Sequence, residues 1–258
     1  MHRLASPRVI LITGATGAIG QALAMAYARP GNTLLLQGRQ VAILDSLAQQ
    51  CRQAGAQVVT GVVDLTDHQS WQTCLATWLA QWPVELCILN AGLNTEVGPD
   101  GEAEPWPAVE ALLDVNLKSV MLTVHALLPG MRQRGGGQIA IMSSLAAWFG
   151  LPDTPTYSAT KAALKTYGES LRGWLAGDGI AVNVIMPGYI QSDMCDRMPG
   201  PKPFLLQPAQ AASKIRRGLA ADCPRITFPF PLNWGTRALA WLPVKLSLFI
   251  LRLLGYKR

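Results

Sequence analysis

The segment Val9-Ile-Leu-Ile-Thr-Gly-Ala-Thr-Gly-Ala-Ile-Gly20 sets the architecture that the rest of the chain must follow. Its first four residues form a short, apolar, β-branched run, which predicts a buried strand. Glycines at 14, 17 and 20 then permit a tight turn, a close approach of the backbone to a pyrophosphate, and close helix–strand packing. Residues 21–29 continue as a helical pattern, whose N-terminus would offer free N–H groups to phosphates. The segment predicts a dinucleotide-binding unit, and the alternative is a tight turn without a ligand.

Tyr157 and Lys161 form a Tyr-x-x-x-Lys pair among good helix formers, and Ser144 lies 13 residues upstream of the tyrosine. Residues four apart share one face of a helix, so the phenol and the ammonium should point the same way. A free phenol titrates near about 10, and a nearby cation lowers that pKa by favouring the phenolate. A tyrosine tuned in this way can exchange a proton with a carbonyl or alcohol oxygen. The alternative interpretation is an ordinary solvated helix face.

The glycine loop, the serine, the tyrosine and the lysine resemble, in spacing and chain order, the motifs of the short-chain dehydrogenase/reductase family. The resemblance covers roughly residues 8 to 200, and further segments match the family at the expected places. These segments are Asp64-Leu65, Asn90-Ala91-Gly92 after the strand Leu86–Leu89, Asp114-Val115-Asn116, the strand 139–144, and Pro187-Gly188 after the strand 181–186, with Ile190 and Ser192 in the next loop. This many matches in order are highly specific.

The resemblance implies a cofactor enzyme in which four residues carry the chemistry. Tyr157 would be the general acid in carbonyl reduction and the base in alcohol oxidation, and Ser144 rather than Ser143 would hydrogen-bond the substrate oxygen. Lys161 would hold the nicotinamide ribose and lower the tyrosine pKa, and Asn116 would hold a water linking Lys161 to solvent. The implied cofactor-binding residues are Gly14, Thr16, Gly17, Ile19, Gly20, Arg39, Asp64, Leu65, Asn90, Ala91, Gly92, Tyr157, Lys161, Pro187, Gly188, Ile190 and Ser192.

The glycine loop departs from the pattern of the family's short single-domain branch, which usually carries Thr-Gly-x-x-x-Gly-x-Gly. Here Ala18 takes the place of the middle glycine, and Gly17 lies one position earlier. This spacing is more typical of a longer branch that includes sugar-nucleotide epimerases and dehydratases. That branch needs a substantial C-terminal substrate domain, but only 71 residues follow Pro187. We therefore expect a short-branch enzyme, with an epimerase or dehydratase as an alternative.

The choice of cofactor depends on the end of the second predicted strand, residues 32–37. NAD users of the family typically place an acidic residue there, which accepts hydrogen bonds from the ribose 2′-hydroxyl. Residues 37–40 contain no acid but do contain Arg39, which would attract a 2′-phosphate. The alternative is that Arg39 is a solvated surface charge. The sequence therefore predicts NADP(H) as the cofactor, in preference to NAD(H).

The alternation of strands and helices predicts an α/β fold with a doubly wound parallel sheet and helices on both faces. At 258 residues the chain can form one such Rossmann-like domain. We assign residues 1–224 to the catalytic domain and residues 225–258 to an apolar, basic, helical extension. The Pro- and Gly-rich segments 98–107 and 199–208 are expected to be surface loops. We expect the second segment to form part of a lid over the substrate.

Five scattered cysteines and three histidines indicate a reducing compartment and no metal site, because they form no ligand spacing. Residues 1–7 lack the apolar stretch of a signal peptide. We therefore expect a cytoplasmic protein.

The extension carries the whole formal net charge of +6, because six Lys and Arg residues but no Asp or Glu follow Asp222. Its apolar run of 11 residues, 244–254, is interrupted by Lys245 and Arg252, and a membrane span needs roughly 20 residues. Sparse charges among aliphatic side chains do not indicate nucleic acid binding. We expect peripheral contact of residues 236–258 with the inner face of a membrane. The alternative is packing on the domain itself or across an oligomer interface.

Apolar residues after the serine and in the predicted lid favour a hydrophobic, lipid-like or steroid-like carbonyl substrate, which we expect the enzyme to reduce. These residues are Trp148, Phe149, Leu151, Met194, Met198, Phe204, Leu205 and Leu206. A catalytically silent NADP(H)-binding sensor or scaffold at a membrane is a second alternative. The resemblance also implies a homodimer or homotetramer built on the helices that carry Asn116 and Tyr157. The sequence does not specify the substrate.

Overall fold

Parallel strands form the centre of the protein, and the computed structural model describes residues 8–98, 100–198 and 200–256. Residues 1–7 and the basic residues 257 and 258 lie outside this part. The expectation about a signal peptide concerns the former, and the expectation of a basic extension includes the latter. The strands are β1 Val9–Ile12, β2 Thr33–Gly38, β3 Gln57–Val62, β4 Leu86–Leu89, β5 Gly137–Met142, β6 Ile180–Pro187 and β7 Arg225–Phe228. They form one parallel sheet in the order β3-β2-β1-β4-β5-β6-β7.

Helices connect the strands and cover both faces of the sheet. The helices are α1 Ala18–Tyr27, α2 Val41–Gln53, α3 His68–Gln81, α4 Trp106–Leu113, α5 Ser119–Gln133, α6 Pro155–Trp174, α7 Asp193–Arg197, α8 Pro208–Ala220, α9 Leu232–Leu239 and α10 Val244–Leu253. Side chains alternate along each strand, so Ile10 and Ile12 enter one core while Leu11 enters the other. The first core includes Leu23 of α1, and the second includes Leu164 of α6. This confirms the predicted doubly wound fold.

A five-residue π-helical turn, Asp114–Lys118, joins α4 and α5 into one long helix. The resulting helix, Trp106–Gln133, is long and apolar enough to cross a membrane by length and composition. Half of its most apolar window is buried inside the fold, as expected of a core helix. The turn is important for the site because it carries Asn116.

The seventh strand lies inside the segment that was predicted to be a helical extension. Arg225–Phe228, the first four residues of that extension, pair in parallel with β6 and complete the sheet. Ile226 and Phe228 are buried, so this segment belongs to the core, while Arg225 and Thr227 alternate with them. The division of the chain into two units stays a prediction. Of the predicted extension, the residues after 228 that the structure describes lie outside the sheet.

Candidate active site

The predicted site residues gather along one edge of the sheet, because they follow the carboxyl ends of neighbouring parallel strands. The order of strands reverses between β1 and β4, and ligands of such sheets bind in the crevice at that point. The glycine loop follows β1, Arg39 follows β2, Asp64 and Leu65 follow β3, Asn90 to Gly92 follow β4, Ser144 follows β5, and Gly188, Ile190 and Ser192 follow β6, while Tyr157 and Lys161 lie in α6.

Gly14 and Gly20 allow the first strand–helix turn to close tightly. Gly14 has a φ of +65°, and a Cβ there would lie 2.7 Å from the Cα of Ala91. Gly20 lies in α1 against the same turn, and a Cβ on it would lie 2.8 Å from the Cα of Ala15. Gly17 is the N-cap of α1, and no side chain of the described residues caps this helix. The N–H groups at the start of α1 are therefore left for an anion such as a pyrophosphate.

Asn90 and Thr13 fasten this turn to the end of β4. The Thr13 hydroxyl accepts hydrogen bonds from the N–H groups of Asn90 and Ala91, both at 3.1 Å. The Asn90 side-chain amide donates to the carbonyls of Thr13 and Gly14, also at 3.1 Å. The two loops that would face the cofactor thus form one rigid unit.

Gln37 is a supporting residue that sequence reasoning missed. Its buried side chain accepts from the Gly14 N–H at 2.9 Å and donates to the Val63 carbonyl at 2.6 Å. It therefore links the glycine loop to the loop after β3. Gly38 follows it, and a Cβ there would lie 2.5 Å from the methyl group of Thr16. A glutamine within an apolar strand was the available signal, since a buried amide must find partners.

Arg39 and Asp64 form a half-exposed ion pair at the adenine end of the predicted site. The Arg39 Nη1 atom lies 3.3 Å from Asp64 Oδ2. Partial burial raises the pKa of Asp64, but hydrogen bonds from Thr66 and Arg39 outweigh it, so that pKa lies below its usual value. Leu65 points into the core, so a contact with a nucleotide would have to come from its backbone.

Asn116 is fully buried in the π-helical turn and ties three segments together. Its Oδ1 accepts from the Leu93 N–H at 2.8 Å. Its Nδ2 donates to the Leu93 carbonyl at 3.0 Å and to the Thr160 hydroxyl at 3.1 Å. The Asn116 side chain thus holds the loop after β4 against α6. A Cβ on Gly92 would lie 3.4 Å from both Asn116 Oδ1 and Lys161 Nζ, so the glycine leaves room beside the ammonium.

The two adjacent serines after β5 face different ways. Ser143 is buried, and its hydroxyl donates to the Lys161 carbonyl at 2.7 Å, which fixes α6 on the sheet. Ser144 begins a short 3₁₀ turn, where its hydroxyl accepts from the Ala146 N–H at 3.2 Å and donates to the Pro187 carbonyl at 3.5 Å. Only Ser144 reaches the tyrosine.

Tyr157 and Lys161 lie side by side on α6, as the four-residue spacing predicts. Lys161 Nζ is 5.4 Å from the centre of the Tyr157 ring and donates to the Met142 carbonyl at 2.9 Å. Burial lowers the pKa of Lys161 to about 8. Burial also raises the pKa of Tyr157, while a hydrogen bond with Ser144 acts in the opposite direction. The arrangement brings a hydroxyl, a phenol and an ammonium together in a poorly hydrated place.

The loop after β6 closes the other end of the site. Pro187 is the last residue of β6, and Gly188 continues the chain toward Ile190, which is buried and pairs with Leu206 as an isolated bridge. Ser192 caps α7, accepting from a backbone N–H and donating to the Ile190 carbonyl at 3.2 Å. The remaining predicted cofactor residue, Ile19, packs against the core from α1.

Trp148 does not face this site, in contrast to its expected place in an apolar substrate pocket. Cations of Lys165, Arg225 and Arg237 lie 4.8, 5.2 and 5.6 Å from its ring centre. Charged neighbours therefore draw the indole to the outer side of α6, where it lines a groove of about 730 Å³. The groove is lined by Trp148, Gly168, Glu169, Arg172, Gly173, Pro224, Arg225, Thr227, Asn233, Trp234 and Arg237.

The predicted lid is only partly apolar on its inner side. Leu206 packs against the core, and Met194 and Met198 are half-buried. Phe204 and Leu205 point outward and are exposed. Sequence alone could not separate inward from outward apolar residues here, because the segment has no regular periodicity.

Tyr189 and Tyr256 form a contact that the sequence did not reveal. Their hydroxyls are 2.9 Å apart, and the Tyr256 hydroxyl also donates to the Pro201 carbonyl at 3.1 Å. Burial raises the pKa of Tyr189, and the nearby Tyr157 adds to that rise. The end of the chain is thus connected through Tyr189 to the neighbourhood of the catalytic candidate.

The five cysteines are unpaired in the structure. Within the described residues, no group of three or more His, Cys, Asp or Glu side chains could hold a metal ion. The site is therefore built from hydroxyl, phenol, amide and ammonium groups.

Residues 8–200 match the profile of the short chain dehydrogenase family, which is the same range that carries the motifs above. The chain belongs to this family. An uncharacterized oxidoreductase of Myxococcus xanthus is 32% identical over 239 residues, which cover 92% of this chain and 94% of that protein. The family's Rossmann-like architecture and its oxidoreductase class thus hold for this chain.

Two further proteins show how far the similarity extends. The 11-beta-hydroxysteroid dehydrogenase 1A of Arabidopsis thaliana is 34% identical over 189 residues, covering 72% of this chain but 53% of that protein. A short-chain dehydrogenase of Sphingobium yanoikuyae, solved in complex with NADPH, has a TM-score of 0.78 and 22% identity, covering 94% of this chain and 95% of that one. The second likeness shows the fold.

We expect Lys161→Met to change how stability depends on pH. Between pH 8 and 10.5 the unfolded lysine keeps a proton that the buried one has lost, so raising the pH stabilises the folded wild type. This gain should total roughly 2–3 kcal/mol across the interval, at about 1.4 kcal/mol per pKa unit. Urea unfolding at several pH values measures it.

The variant should lack this gain, whereas the exposed-lysine control Lys118→Met should retain it. Parallel pH profiles for wild type and Lys161→Met would show that the buried ammonium does not titrate as described.

Proposed function

We propose that the protein is an NADP(H)-dependent oxidoreductase that interconverts a ketone or aldehyde and a secondary alcohol, and that it acts as a reductase of a hydrophobic carbonyl. The observation that carries the proposal is the meeting of Ser144, Tyr157 and Lys161 beside the glycine loop. A hydroxyl, a phenol and an ammonium in one partly dry pocket can bind a carbonyl oxygen and supply a proton to it.

The residues present fit a nicotinamide cofactor, which would supply the hydride. The uncapped start of α1 can bind the pyrophosphate, and the space left by Gly92 gives access to Lys161 Nζ. In our proposal Lys161 would hold the ribose hydroxyls and favour the phenolate of Tyr157. The phenol of Tyr157 would then donate its proton to the substrate oxygen, which Ser144 would hold within hydrogen-bond reach.

Asn116 is assigned a positioning role in this proposal. Its side chain uses both Nδ2 protons and one acceptor position of Oδ1 to hold Leu93 and Thr160, so it fixes the loop after β4 against α6. The expected water link to Lys161 would use the second acceptor position of Asn116 Oδ1 or the main-chain carbonyl of Asn116 in the π-helical turn. Such turns interrupt the regular helical hydrogen bonds and are frequent at functional sites.

Arg39 supports NADP(H) as the cofactor. It follows β2, where a ribose 2′-phosphate would lie, and its half-exposed side chain is held near that place by Asp64. A guanidinium can bind a phosphate through two parallel hydrogen bonds. The NADPH complex of the Sphingobium protein adds support from a protein of the same fold.

We expect Arg39→Ala to lower kcat/KM for NADPH by about 10- to 100-fold and to leave that for NADH nearly unchanged, because only NADPH loses a charge-assisted bond of about 1.5–3 kcal/mol. Initial rates with both cofactors measure the effect. Arg29→Ala, at an exposed arginine after α1, is the matched control. An equal loss with both cofactors would contradict the assignment of Arg39 to the 2′-phosphate.

A hydrophobic carbonyl substrate is supported by the half-buried Met194 and Met198 and by the steroid in the name of the Arabidopsis relative.

We further propose a cytoplasmic enzyme that assembles as a homodimer or homotetramer through α5 and α6. Met121 and Trp174, both exposed on these helices, support that interface. The silent sensor and the epimerase or dehydratase gain no support from the relatives, which are oxidoreductases.

Tyr157→Phe tests the proposed function most sharply. We expect at least a 1000-fold loss of kcat, about 4 kcal/mol, because the proton donor is removed, with NADPH affinity unchanged within about threefold. NADPH oxidation is followed at about 340 nm against ketones graded from small and polar to long-chain and steroidal. Rates should rise with apolar size. The control is Tyr167→Phe, ten residues along the same helix.

Wild-type turnover that survives in Tyr157→Phe would contradict the mechanism. NADPH binding without turnover of any ketone would favour the sensor instead.

A further inference from the structure

Exposed apolar side chains concentrate at the end of the chain. Nine of the 19 exposed large hydrophobic side chains among the described residues lie between 230 and 254. Apolar patches of this kind on a soluble fold mark an interaction site. The nine are Phe230, Trp234, Trp241, Leu242, Val244, Leu246, Phe249, Leu253 and Leu254.

The helix α10 turns its apolar stripe away from the protein. Ser247 and Leu251 face the protein and are buried. Leu246, Phe249 and Leu253, spaced three and four residues apart, share the opposite face and are 44%, 56% and 71% exposed. A tail that only packed on its own domain would bury this stripe. The structure therefore disfavours that alternative and leaves an external partner to cover it.

The helix α9 continues the same kind of surface with aromatic residues. Trp234 lies in α9 and Trp241 lies in the turn just after it, and they are 60% and 71% exposed. Arg237 lies between them, and its guanidinium is 5.8 and 5.0 Å from the two ring centres. Tryptophans beside arginines suit the boundary between water and lipid, where the ring is half-buried and the charge meets phosphate.

The positive charges of this region favour an anionic lipid surface over a second copy of the chain. Arg237, Lys245 and Arg252 lie among these apolar residues, and no acidic residue follows Asp222. A second copy of this surface would bring like charges together without acidic partners, whereas anionic headgroups would complement them. Helices of 8 and 10 residues are too short to span a bilayer and would lie in its surface.

We propose that the outward faces of α9 and α10, from Phe230 to Leu254, dock on an anionic lipid surface. The apolar side chains enter the acyl boundary, and Arg237 and Lys245 contact the headgroup phosphates. We call these faces the α9–α10 surface.

The α9–α10 surface is joined at both ends to the candidate active site. Leu232, at the start of α9, packs beside Gly188, where a Cβ would lie 2.9 Å from the leucine. Tyr256, just after α10, is hydrogen-bonded to Tyr189 and to the lid carbonyl of Pro201. Docking thus places the substrate site next to the bilayer, where a hydrophobic carbonyl would be concentrated. This last step rests on the proposed function, whereas the docking itself does not.

Vesicle flotation of the full chain tests the proposal. Vesicles of phosphatidylcholine alone are compared with an equal mixture of phosphatidylcholine and phosphatidylglycerol, at low and high salt. We expect flotation with the anionic vesicles, weakened by salt because the charges are exposed. The double variant Phe249→Ser/Leu253→Ser should bind at least about tenfold more weakly, since two exposed apolar anchors are lost. Lys245→Glu should weaken binding several-fold.

Matched controls separate the surface from general effects. Trp106→Ser removes an exposed aromatic residue on α4, and Arg216→Glu reverses an exposed charge on α8; both should float like wild type. Circular dichroism and thermal unfolding verify that each variant is folded.

Several outcomes would overturn the proposal. They are no flotation with either vesicle, equal binding to both, or unchanged binding of the double variant. A dimer that dissociates in the double variant, without vesicle binding, would identify a second copy as the partner instead. Flotation requires no turnover, so its failure would leave the reductase proposal standing, and failure of turnover would leave the docking result standing.

Discussion

The candidate site depends on how closely backbone segments approach each other at the carboxyl edge of the sheet. Gly14 lies against Ala91, and Gly20 lies against the turn that contains Gly14, at distances that a Cβ would not allow. Hydrogen bonds that Asn90 donates to Thr13 then lock these segments together. Because parallel strands all end at this edge, the same approach that packs the fold also leaves the start of α1 open to an anion.

A buried ammonium is the second constraint, and it opposes stability. Lys161 is almost fully buried, and its ammonium donates to a neutral carbonyl, that of Met142, at the end of β5. Burial without a counter-charge disfavours the charged form, which is why the pKa falls to about 8. Proteins rarely keep such a group for packing alone, and in the proposed function the neighbouring Tyr157 and Ser144 give it a chemical use. Functional sites of this kind commonly sacrifice stability for preorganisation.

The sequence predicted the fold and the order of the site segments, because both follow from local patterns. The strands β1 and β4 agree with their predicted bounds, and the glycine loop lies between strand and helix as expected. The partners of Gln37 and the pairing of Tyr189 with Tyr256 could not be predicted in this way, since the residues that meet are distant in sequence. The prediction that Trp148 lines the substrate pocket was wrong for the same reason. Cations from two helices and one strand surround its ring, and they are distant from it in sequence.

The central claim is that one edge of the sheet, from the glycine loop to Tyr157, holds a dinucleotide. A crystal structure of the protein with NADPH tests this most directly. The account predicts the pyrophosphate at the start of α1, the 2′-phosphate near Arg39, and the nicotinamide ribose within hydrogen-bond reach of Lys161. A nucleotide bound instead in the groove beside Trp148, or one whose nicotinamide lies away from Tyr157, would contradict it.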